Sequence, residues 1–545
     1  MTPFVQPAPR VANAYASDPL LPALLRRKLG PEAYAALEPE LLAMGEIAAG
    51  PLADLQRADR LNEPVLTQWD PWGTRVDRIE LTPLWREAEI LAARHGLVAI
   101  PYERREGPWS RLRQFALVHL FHPVTDVYTC PLAMTDGAAR TLLASGNAAL
   151  VERAVPHLTS RDPAQFWTSG QWMTESTGGS DVGRSETVAR QGTDGRWRLY
   201  GKKWFTSAAT SQMALTLARP EGNGPGGSGL AMFYVECRDA EGRLDGIRVE
   251  RLKDKLGTRK VPTAELTLDG TPAVLVAGRT GGTRAIEPML RITRTWNSVA
   301  AVSFMRHGLS LAEDYARRRV AFGAPLAEQP LHRETLADLQ AETAGATLLT
   351  FLLVELLGHE EAGAIDPDDA ALLRLLFPVV KATTGRQAVQ VVSETIESFG
   401  GAGYVEDTGL PVLLRDTQVL PIWEGTTNVL SLDALLRADV ARALPALQAR
   451  VRRIESGGGA HAAPAGGAVV CAFGRVAPSL ADAGDAAVLQ AGARRVTLTL
   501  GRSLELALLA EHAGALQGAS HAAALDWCRR LHRAGVDLLA EPTPG

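Results

Sequence analysis

The sequence has little cysteine, which argues against a cysteine-bound zinc site and against a disulfide framework. Its 545 residues contain four cysteines, Cys130, Cys237, Cys471 and Cys528, and no two of them form a CxxC pair. Zinc sites and disulfide frameworks need closely spaced cysteines. We therefore expect no metal site and no disulfide, and the composition fits a reducing, cytoplasmic environment.

The chain also lacks an excess of charge of one sign. Its 57 lysines and arginines nearly balance 61 aspartates and glutamates, which gives a formal net charge of −4. There is no global basic field for nucleic acid and no acidic excess typical of disorder. No apolar run approaches about 18 residues, and the amino terminus has no basic segment followed by an apolar one. We expect neither a membrane span nor a signal peptide.

What is present is an ordinary globular composition, 46% hydrophobic, whose periodicity changes along the chain. Apolar residues at helical spacing predict a helical domain over 1–168. Short alternating runs between Gly-rich turns predict an antiparallel β domain over 169–280. Long helical segments then predict a helix bundle over 281–440. A Gly/Ala-rich stretch at 456–468 interrupts the pattern, and 441–545 is predicted as an additional helical unit.

Two polar clusters near the β domain offer ligand-binding groups. MTESTGGSD, at 173–181, combines small hydroxyls with glycines that let a backbone approach a ligand. In KKWFTSA, at 202–208, strand alternation predicts Trp204 and Thr206 on one face and Phe205 on the other. An aromatic plane beside a hydroxyl suits an aromatic cofactor. Taken alone, a polar turn and a core tryptophan explain these clusters better.

Three further clusters lie in the helical second half. ARRRVAFG, at 316–323, places three arginines at a helix end, where they bind a phosphate or are simply solvated. ESFGGAGY, at 397–404, has glycines that either admit a pyrophosphate onto bare backbone or stop a helix. PIWEGTTN, at 421–428, holds one carboxylate, Glu424, between an aromatic residue and a Gly-Thr-Thr loop. A lone surface glutamate is ordinarily just solvated.

The five clusters together, in this order and spacing, resemble the acyl-CoA dehydrogenase family. The resemblance also includes KDKLGTRKVPTAELTLD at 253–269, and it covers roughly residues 80–435. It implies an α+β acyl-CoA dehydrogenase fold, with an N-terminal helical domain, a central antiparallel β domain, a C-terminal four-helix bundle and here an extra C-terminal helical unit. It also implies FAD as cofactor. The family removes the α-proton of an acyl-CoA thioester while a hydride passes from the β-carbon to flavin N5.

The resemblance assigns roles to particular residues. The family's base corresponds to Glu424, and Arg294 is expected to bias its ionisation or orient its loop. Relatives that place the base on the long helix have a glutamate where this chain has Thr293, which favours Glu424. The residues expected to bind FAD are Met173, Thr174, Gly179, Ser180, Trp204, Thr206, Ser207, Arg319, Gly400, Gly401, Thr426 and Asn428.

The resemblance also implies partners. Arg319 is expected to reach the FAD of a neighbouring subunit, and family members are dimers or tetramers, so we expect a homotetramer. The expected substrate is an acyl-CoA or a related small molecule. An electron-transfer flavoprotein is the corresponding candidate electron acceptor.

Other features resemble the AidB-like branch of the family, which belongs to the bacterial response to DNA alkylation. They include VANAYASD at 11–18, YTCPLAMT at 128–135, Trp423 in place of the usual tyrosine, and the extra C-terminal unit. In this branch the C-terminal domain binds double-stranded DNA, and the flavoenzyme has at most weak isovaleryl-CoA dehydrogenase activity.

The C-terminal unit is the candidate DNA-binding region. Residues 441–545 contain eleven arginines, no lysine and eight acidic residues, a net charge of +3. The residues predicted to contact DNA are Arg495, Arg502, Arg529 and Arg533. Arg495 and Arg502 are spaced to share one helix face, and so are Arg529 and Arg533. Ordinary solvated helix arginines explain them about equally well.

Three functions stay open from the sequence. The first is an FAD-dependent acyl-CoA dehydrogenase with Glu424 as base. The second is a DNA-binding alkylation-response protein whose flavin site is largely structural. The third is a flavin oxidase that passes electrons to oxygen.

Overall fold

The fold is described from a computed structural model, in which residues 5–456, 463–481 and 486–539 are described. Residues 457–462 of the Gly/Ala-rich stretch lie outside that set. The chain divides into two compact units. The β unit consists of Leu52–Glu103 and Val124–Trp296, and the helical unit of Met1–Pro51, Arg104–Pro123 and Asn297–Gly545.

The helices are α1 (Leu21–Ala49), α2 (Pro51–Ala58), α3 (Pro83–Arg94), α4 (Ile100–Glu103), α5 (Ser110–Phe121), α6 (Thr129–Ser145), α7 (Ala148–Leu158), α8 (Gly282–Ala285), α9 (Glu287–Arg318), α10 (Pro330–Glu361), α11 (Pro367–Glu397), α12 (Gly401–Tyr404), α13 (Leu410–Thr417), α14 (Thr427–Leu436), α15 (Val440–Ser456), α16 (Ala463–Ala481), α17 (Ala486–Gly514) and α18 (Gly518–Ala534). The strands are β1 (Val65–Trp69), β2 (Arg75–Glu80), β3 (Ser169–Trp172), β4 (Val188–Gln191), β5 (Trp197–Thr206), β6 (Met213–Pro220), β7 (Ala231–Glu236), β8 (Ile247–Leu252), β9 (Ala264–Leu275), β10 (Val320–Ala321) and β11 (Ala324–Pro325).

Strands β3–β9 form one mixed sheet in the β unit. Five strands, in the order β6–β4–β5–β9–β7, form a closed sheet because β7 also pairs with β6. Strand β3 pairs with β6, and strand β8 pairs with β9. Most pairings in this sheet are antiparallel, as predicted, but the pairs β3–β6 and β4–β6 are parallel. The reason is local: β5 turns back antiparallel to β4, and the next strand, β6, turns again and runs beside β4.

Apolar side chains form two buried clusters in the β unit. One contains Trp172, Leu199 and Phe233, and the other joins Met213 and Leu215 of β6 to residues of α6 and α7. The β1–β2 hairpin also belongs to this unit, although the sequence predicted only helix over that region. The order of elements, with helical, β and helical parts, agrees with the order expected from the motifs.

Three long helices, α9, α10 and α11, form the framework of the helical unit. Within this unit, α10 packs against α5, α11, α17 and α18. Asp366 caps the start of α11 by accepting a hydrogen bond from the Asp369 N–H, and proline occupies the first turn. An apolar window of α10 is long enough to cross a membrane by length and composition, but 89% of that window is buried, as in the core helix of a bundle.

The predicted four consecutive domains differ from the two observed units. The predicted segment 1–168 is shared between the units, and the described part of 441–545 belongs to the same unit as the bundle. The physical reason is that α17 and α18 pack directly on α10, and α17 also packs on α11 and α14. The C-terminal helices therefore extend the bundle instead of forming a separate core.

Candidate functional site

A buried ion pair fixes the MTESTGGSD loop of the β unit. The Glu175 carboxylate accepts hydrogen bonds from Lys203 Nζ at 2.7 Å and from Thr187 Oγ1 at 2.6 Å. Lys203 is fully buried and also donates to the Leu217 carbonyl. Burial raises the pKa of Glu175, but the Lys203 ammonium and the hydrogen bonds outweigh it, so the net pKa lies below the ordinary value. This pair was not predicted from the sequence, where its signal was a lysine at a strand position, Lys203.

The same loop contacts the KKWFTSA strand through the backbone. The Trp204 N–H donates to the Thr174 carbonyl at 2.9 Å, which brings two predicted FAD-binding residues together. A Cβ on Gly178 would lie 2.4 Å from the Asp181 carbonyl oxygen, whereas one on Gly179 would meet no atom within 4 Å. The fold therefore explains Gly178, while Gly179, with Ser180 beside it, leaves open backbone.

A β-bulge changes the predicted faces of the KKWFTSA strand. Between Lys203 and Thr206, three steps along β5 match two along β9. Thr206 is fully buried, whereas Phe205 is 51% exposed. The Lys253 ammonium lies 3.5 Å from the Trp204 ring centroid and 4.7 Å from that of Phe205. The prediction that these two rings lie on opposite faces is wrong, because the inserted residue breaks the two-residue alternation.

Thr206 and Ser207 form hydrogen bonds at the end of β5. The Thr206 hydroxyl donates to the Ala264 carbonyl at 2.5 Å, so its oxygen is left as an acceptor. Ser207 Oγ lies 3.3 Å from Thr263 Oγ1, which accepts from Lys255 Nζ at 2.9 Å. These contacts join Thr206 to β9 and, through Thr263, Ser207 to Lys255 of the KDKLGTRK loop.

In the helical unit, Glu424 occupies a strained turn. Its φ is +56°, in the left-handed region that non-glycine residues rarely adopt, and Gly425 follows with φ +104°. Lys381 Nζ donates to the Gly425 carbonyl at 2.6 Å. Thr426 then caps α14 by accepting from the Val429 N–H. Glu424 is half-buried and lies shortly before the N-terminus of α14, which begins at Thr427.

A second hydrogen bond holds the residue before Glu424. The Trp423 indole N–H donates to Asn297 Oδ1 on α9. Gly385 of α11 lets the helix approach the same loop, because a Cβ there would lie 3.2 Å from the Leu420 carbonyl oxygen. Neither Asn297 nor Lys381 was predicted as a site residue, although a lysine within the apolar run LLFPVVKATTG is unusual enough to indicate a specific role.

Glycines of the ESFGGAGY segment separate into structural and open positions. A Cβ on Gly403 would lie 2.0 Å from the Ile396 carbonyl oxygen, so packing requires that glycine. Gly400, with φ +60°, and Gly401 have no atom within 4 Å of such a Cβ. The glycines predicted to bind FAD, in both units, are those that packing within the described residues does not explain. This open backbone fits a large cofactor.

Arg319 lies between the end of α9 and an exposed hairpin. Its N–H donates to the Tyr315 carbonyl, and β10 and β11 follow. Arg317 and Arg318 both pair with Asp314. Phe322, at the tip of the hairpin, is 99% exposed.

The predicted site residues fall in two groups. Those in the β unit are Met173, Thr174, Gly179, Ser180, Trp204, Thr206, Ser207 and Arg294, and those in the helical unit are Arg319, Gly400, Gly401, Glu424, Thr426 and Asn428. Arg294 lies half-buried on α9. Its pairing with Glu424 and the individual FAD contacts stay predictions.

One predicted DNA contact requires correction. Arg502 has a side chain only 12% exposed; it pairs with Glu342 and donates to the Gly535 carbonyl. It is therefore a packing residue between α17 and α10, and the prediction that it lies on a DNA-facing surface is wrong. Arg533 pairs with Asp338 at 3.1 Å, while Arg495 and Arg529 are exposed.

Family models match most of the chain. The matched descriptions are the Adaptive response protein AidB N-terminal domain at 6–163, the acyl-CoA dehydrogenase middle domain at 170–271 and the acyl-CoA dehydrogenase C-terminal domain at 280–438. They agree with the order of motifs found in the sequence.

Full-length relatives show the same similarity. Acyl-CoA dehydrogenase family member 11 of Caenorhabditis elegans is 46% identical, over 79% of this chain and 72% of the relative. AidB of Escherichia coli (strain K12) is 31% identical over 80% of each. The crystal structure of C. elegans ACDH-11 in complex with C11-CoA is 41% identical, with a TM-score of 0.93, and the match covers 99% of this chain and 94% of that one. The chain therefore belongs to the acyl-CoA dehydrogenase family of FAD-dependent oxidoreductases, in its AidB-like branch.

Proposed function

We propose that this protein oxidises an acyl-CoA thioester and that Glu424 removes the α-proton. The observation that carries this proposal is the left-handed turn at Glu424, which is fixed on both sides by side chains of α9 and α11. Strain that surrounding contacts maintain is typical of functional residues. A carboxylate held in one direction suits a general base, which must lie within hydrogen-bond reach of the proton it takes.

FAD supplies the hydride acceptor for the β-carbon when bound. The chain's own groups would bind and orient it: open backbone at Gly179, Gly400 and Gly401, and Trp204 with Thr206 at the bulge of β5. A homotetramer, in which Arg319 reaches a neighbouring subunit's FAD, belongs to the same proposal. So do a cytoplasmic location and an electron-transfer flavoprotein as electron acceptor.

The substrate class is an acyl-CoA. The relative with a TM-score of 0.93 was solved in complex with C11-CoA, which makes undecanoyl-CoA the first substrate to test. Weak isovaleryl-CoA activity, expected from the AidB-like resemblance, is the second.

An anaerobic titration tests the proposed activity. Undecanoyl-CoA, butyryl-CoA and isovaleryl-CoA are each added to the yellow protein and to the Glu424→Gln variant. We expect at least one substrate to bleach the flavin absorbance of the native protein, and the rate to fall by about 10²–10⁴ in Glu424→Gln. Absence of bleaching with every substrate, or an unchanged rate in the variant, would contradict the proposal.

Binding of double-stranded DNA is a second candidate function. Its support is the similarity to AidB and the exposed Arg495 and Arg529 on α17 and α18. Phosphate contacts make such binding salt-dependent and largely independent of sequence. Duplex affinity is measured at several salt concentrations for the native protein and for Arg495→Ala/Arg529→Ala. A lower affinity and a smaller salt slope in the variant support the function, and unchanged values contradict it.

A further inference from the structure

Lys381 places an ammonium group inside an apolar helix. It lies in the run LLFPVVKATTG of α11, and its side chain has no exposed surface. Its neighbours Val379, Val380 and Ala382 are buried as well. Removing a charged amine from water is unfavourable unless the protein supplies strong acceptors. The structure therefore has to account for a lysine at this position.

The Lys381 amine binds the loop that carries the proposed base. Its Nζ donates to the Gly425 carbonyl at 2.6 Å, a short hydrogen bond of the charge-assisted kind, which is roughly twice as strong as one between neutral groups. This bond fixes the peptide group between Gly425 and Thr426, one residue beyond Glu424. The Trp423 indole, bound to Asn297, fixes the residue immediately before it.

The backbone of Glu424 needs this support. A left-handed conformation is sterically unfavourable at a residue with a side chain, and φ at Glu424 is +56°. Without the bond to Lys381, the Gly425 carbonyl can turn away and the strain at Glu424 can relax. The direction of the carboxylate would change with it.

We propose that Lys381 is the positioning residue for Glu424, acting through the Gly425 carbonyl to keep the carboxylate aimed at the α-proton. The inference rests on the proposed function, because it assigns to Lys381 the orientation of that base. Lys381 itself touches neither substrate nor cofactor in this role.

The test separates positioning from simple stabilisation of the fold. Lys381→Met keeps the length and loses the donor, whereas Lys381→Gln keeps a shorter, neutral donor. Lys28→Met is the matched control, because Lys28 binds Glu355 at 2.7 Å instead of the loop. Glu424→Gln reports separately on the proposed function. Flavin reduction by saturating undecanoyl-CoA is followed anaerobically, together with the substrate dissociation constant, FAD content and the unfolding midpoint.

We expect Lys381→Met to reduce flavin about 100-fold more slowly, since a misplacement of about 1 Å has an effect of that size. Its dissociation constant should change little, because binding contacts are untouched. Lys381→Gln should fall between Lys381→Met and the native protein, and Lys28→Met should keep the native rate. A lower unfolding midpoint with a native rate in Lys381→Met would overturn the inference.

A second measurement isolates the proton transfer. A 3-thia acyl-CoA has sulfur in place of the β-carbon, so it can exchange its α-hydrogens with D₂O but cannot lose a hydride. We expect exchange to slow in Lys381→Met in proportion to flavin reduction. If Lys381→Met does not fold, Lys381→Gln decides: exchange slower by about tenfold or more supports positioning, and native exchange overturns it. Native rates in Glu424→Gln would instead contradict the proposed function.

Discussion

A buried charged side chain holds one loop in each unit. In the β unit, Lys203 and Glu175 tie the MTESTGGSD loop to β5. In the helical unit, Lys381 ties the Glu424 loop to α11. A buried charge is unfavourable without a partner, and its hydrogen bond to a partner has a definite direction. Each lysine therefore fixes one loop in a single position, which apolar packing alone would not determine.

The Lys203–Glu175 pair gives a prediction for single residues. Lys203→Met should lower the free energy of unfolding by about 3–5 kcal/mol, because it leaves the Glu175 carboxylate buried without its cation. The double variant Lys203→Met/Glu175→Gln should recover part of that loss. Urea unfolding with FAD absorbance measures both effects. Additive losses in the double variant would show that the two side chains do not act as a pair.

Glu505 on α17 carries a pH-dependent contribution to helix packing. It is fully buried among α10, α11 and α17, where Gln387 donates to it at 2.9 Å. Burial raises its pKa to about 8, although Arg502 acts in the opposite direction. A raised carboxyl pKa means that the folded protein retains a proton that the unfolded chain releases. Stabilisation is then complete below about pH 4.5 and is lost as the pH rises to about 8.

Replacing Glu505 with glutamine should remove this dependence. We expect Glu505→Gln to flatten the loss of stability between pH 4.5 and 8, and to gain up to about 4 kcal/mol over the native protein above pH 8. Urea midpoints across this range measure the effect. Glu511→Gln, on the same helix in a more exposed pair with Arg27, is the control. Parallel curves for the native protein and Glu505→Gln would contradict the account.

Two histidines, His122 buried just after α5 and His307 half-buried on α9, should make the helical unit sensitive to acid. Burial, the main cause, lowers the pKa of His307 to about 4 and that of His122, just after α5, to about 3. The folded state therefore excludes protons that the unfolded chain binds below about pH 6.5. Stability is full above that pH and falls as the pH drops towards 4.

His307→Gln tests this acid dependence. Below about pH 5 we expect the variant to lose stability less steeply than the native protein, by up to about 3 kcal/mol at pH 4. Denaturant midpoints at pH 4–7 measure the difference. His532→Gln, at an exposed position of α18, provides the control. Equal slopes in His307→Gln and the native protein would rule out His307 as a source of the acid sensitivity.

The helices could be predicted from the spacing of apolar residues in the sequence. Several contacts that determine the direction of a side chain could not. The spacing of apolar residues predicted long helices over 281–440, where α9, α10 and α11 lie, and the motifs predicted where open glycines lie. The bulge in β5 was not predicted because no residue type in KKWFTSA indicates an inserted residue. For that reason the faces of Trp204 and Phe205 were misassigned. Arg502 was misassigned because helix spacing cannot show that Glu342, far away in the chain, lies opposite it.

At the scale of the whole molecule, the exposed β10–β11 hairpin supports the proposed assembly. Phe322 is 99% exposed and Val320 57%, next to Arg319. Burial of a phenylalanine side chain contributes about 1.5–3 kcal/mol. We expect Phe322→Asp to yield smaller species and to release FAD, whereas Phe322→Leu should retain both. Sedimentation velocity and flavin absorbance measure these outcomes, and an unchanged assembly in Phe322→Asp would exclude this hairpin from the interface.

Isotope exchange measures removal of the α-proton by Glu424 without any hydride transfer. A 3-thia acyl-CoA is incubated in D₂O with the FAD-loaded native protein or with FAD-loaded Glu424→Gln, and deuterium at the α-carbon is followed by NMR. We expect exchange with the native protein and a rate lower by about 10²–10⁴ in the variant. Exchange at the native rate in Glu424→Gln would contradict the proposed role of Glu424.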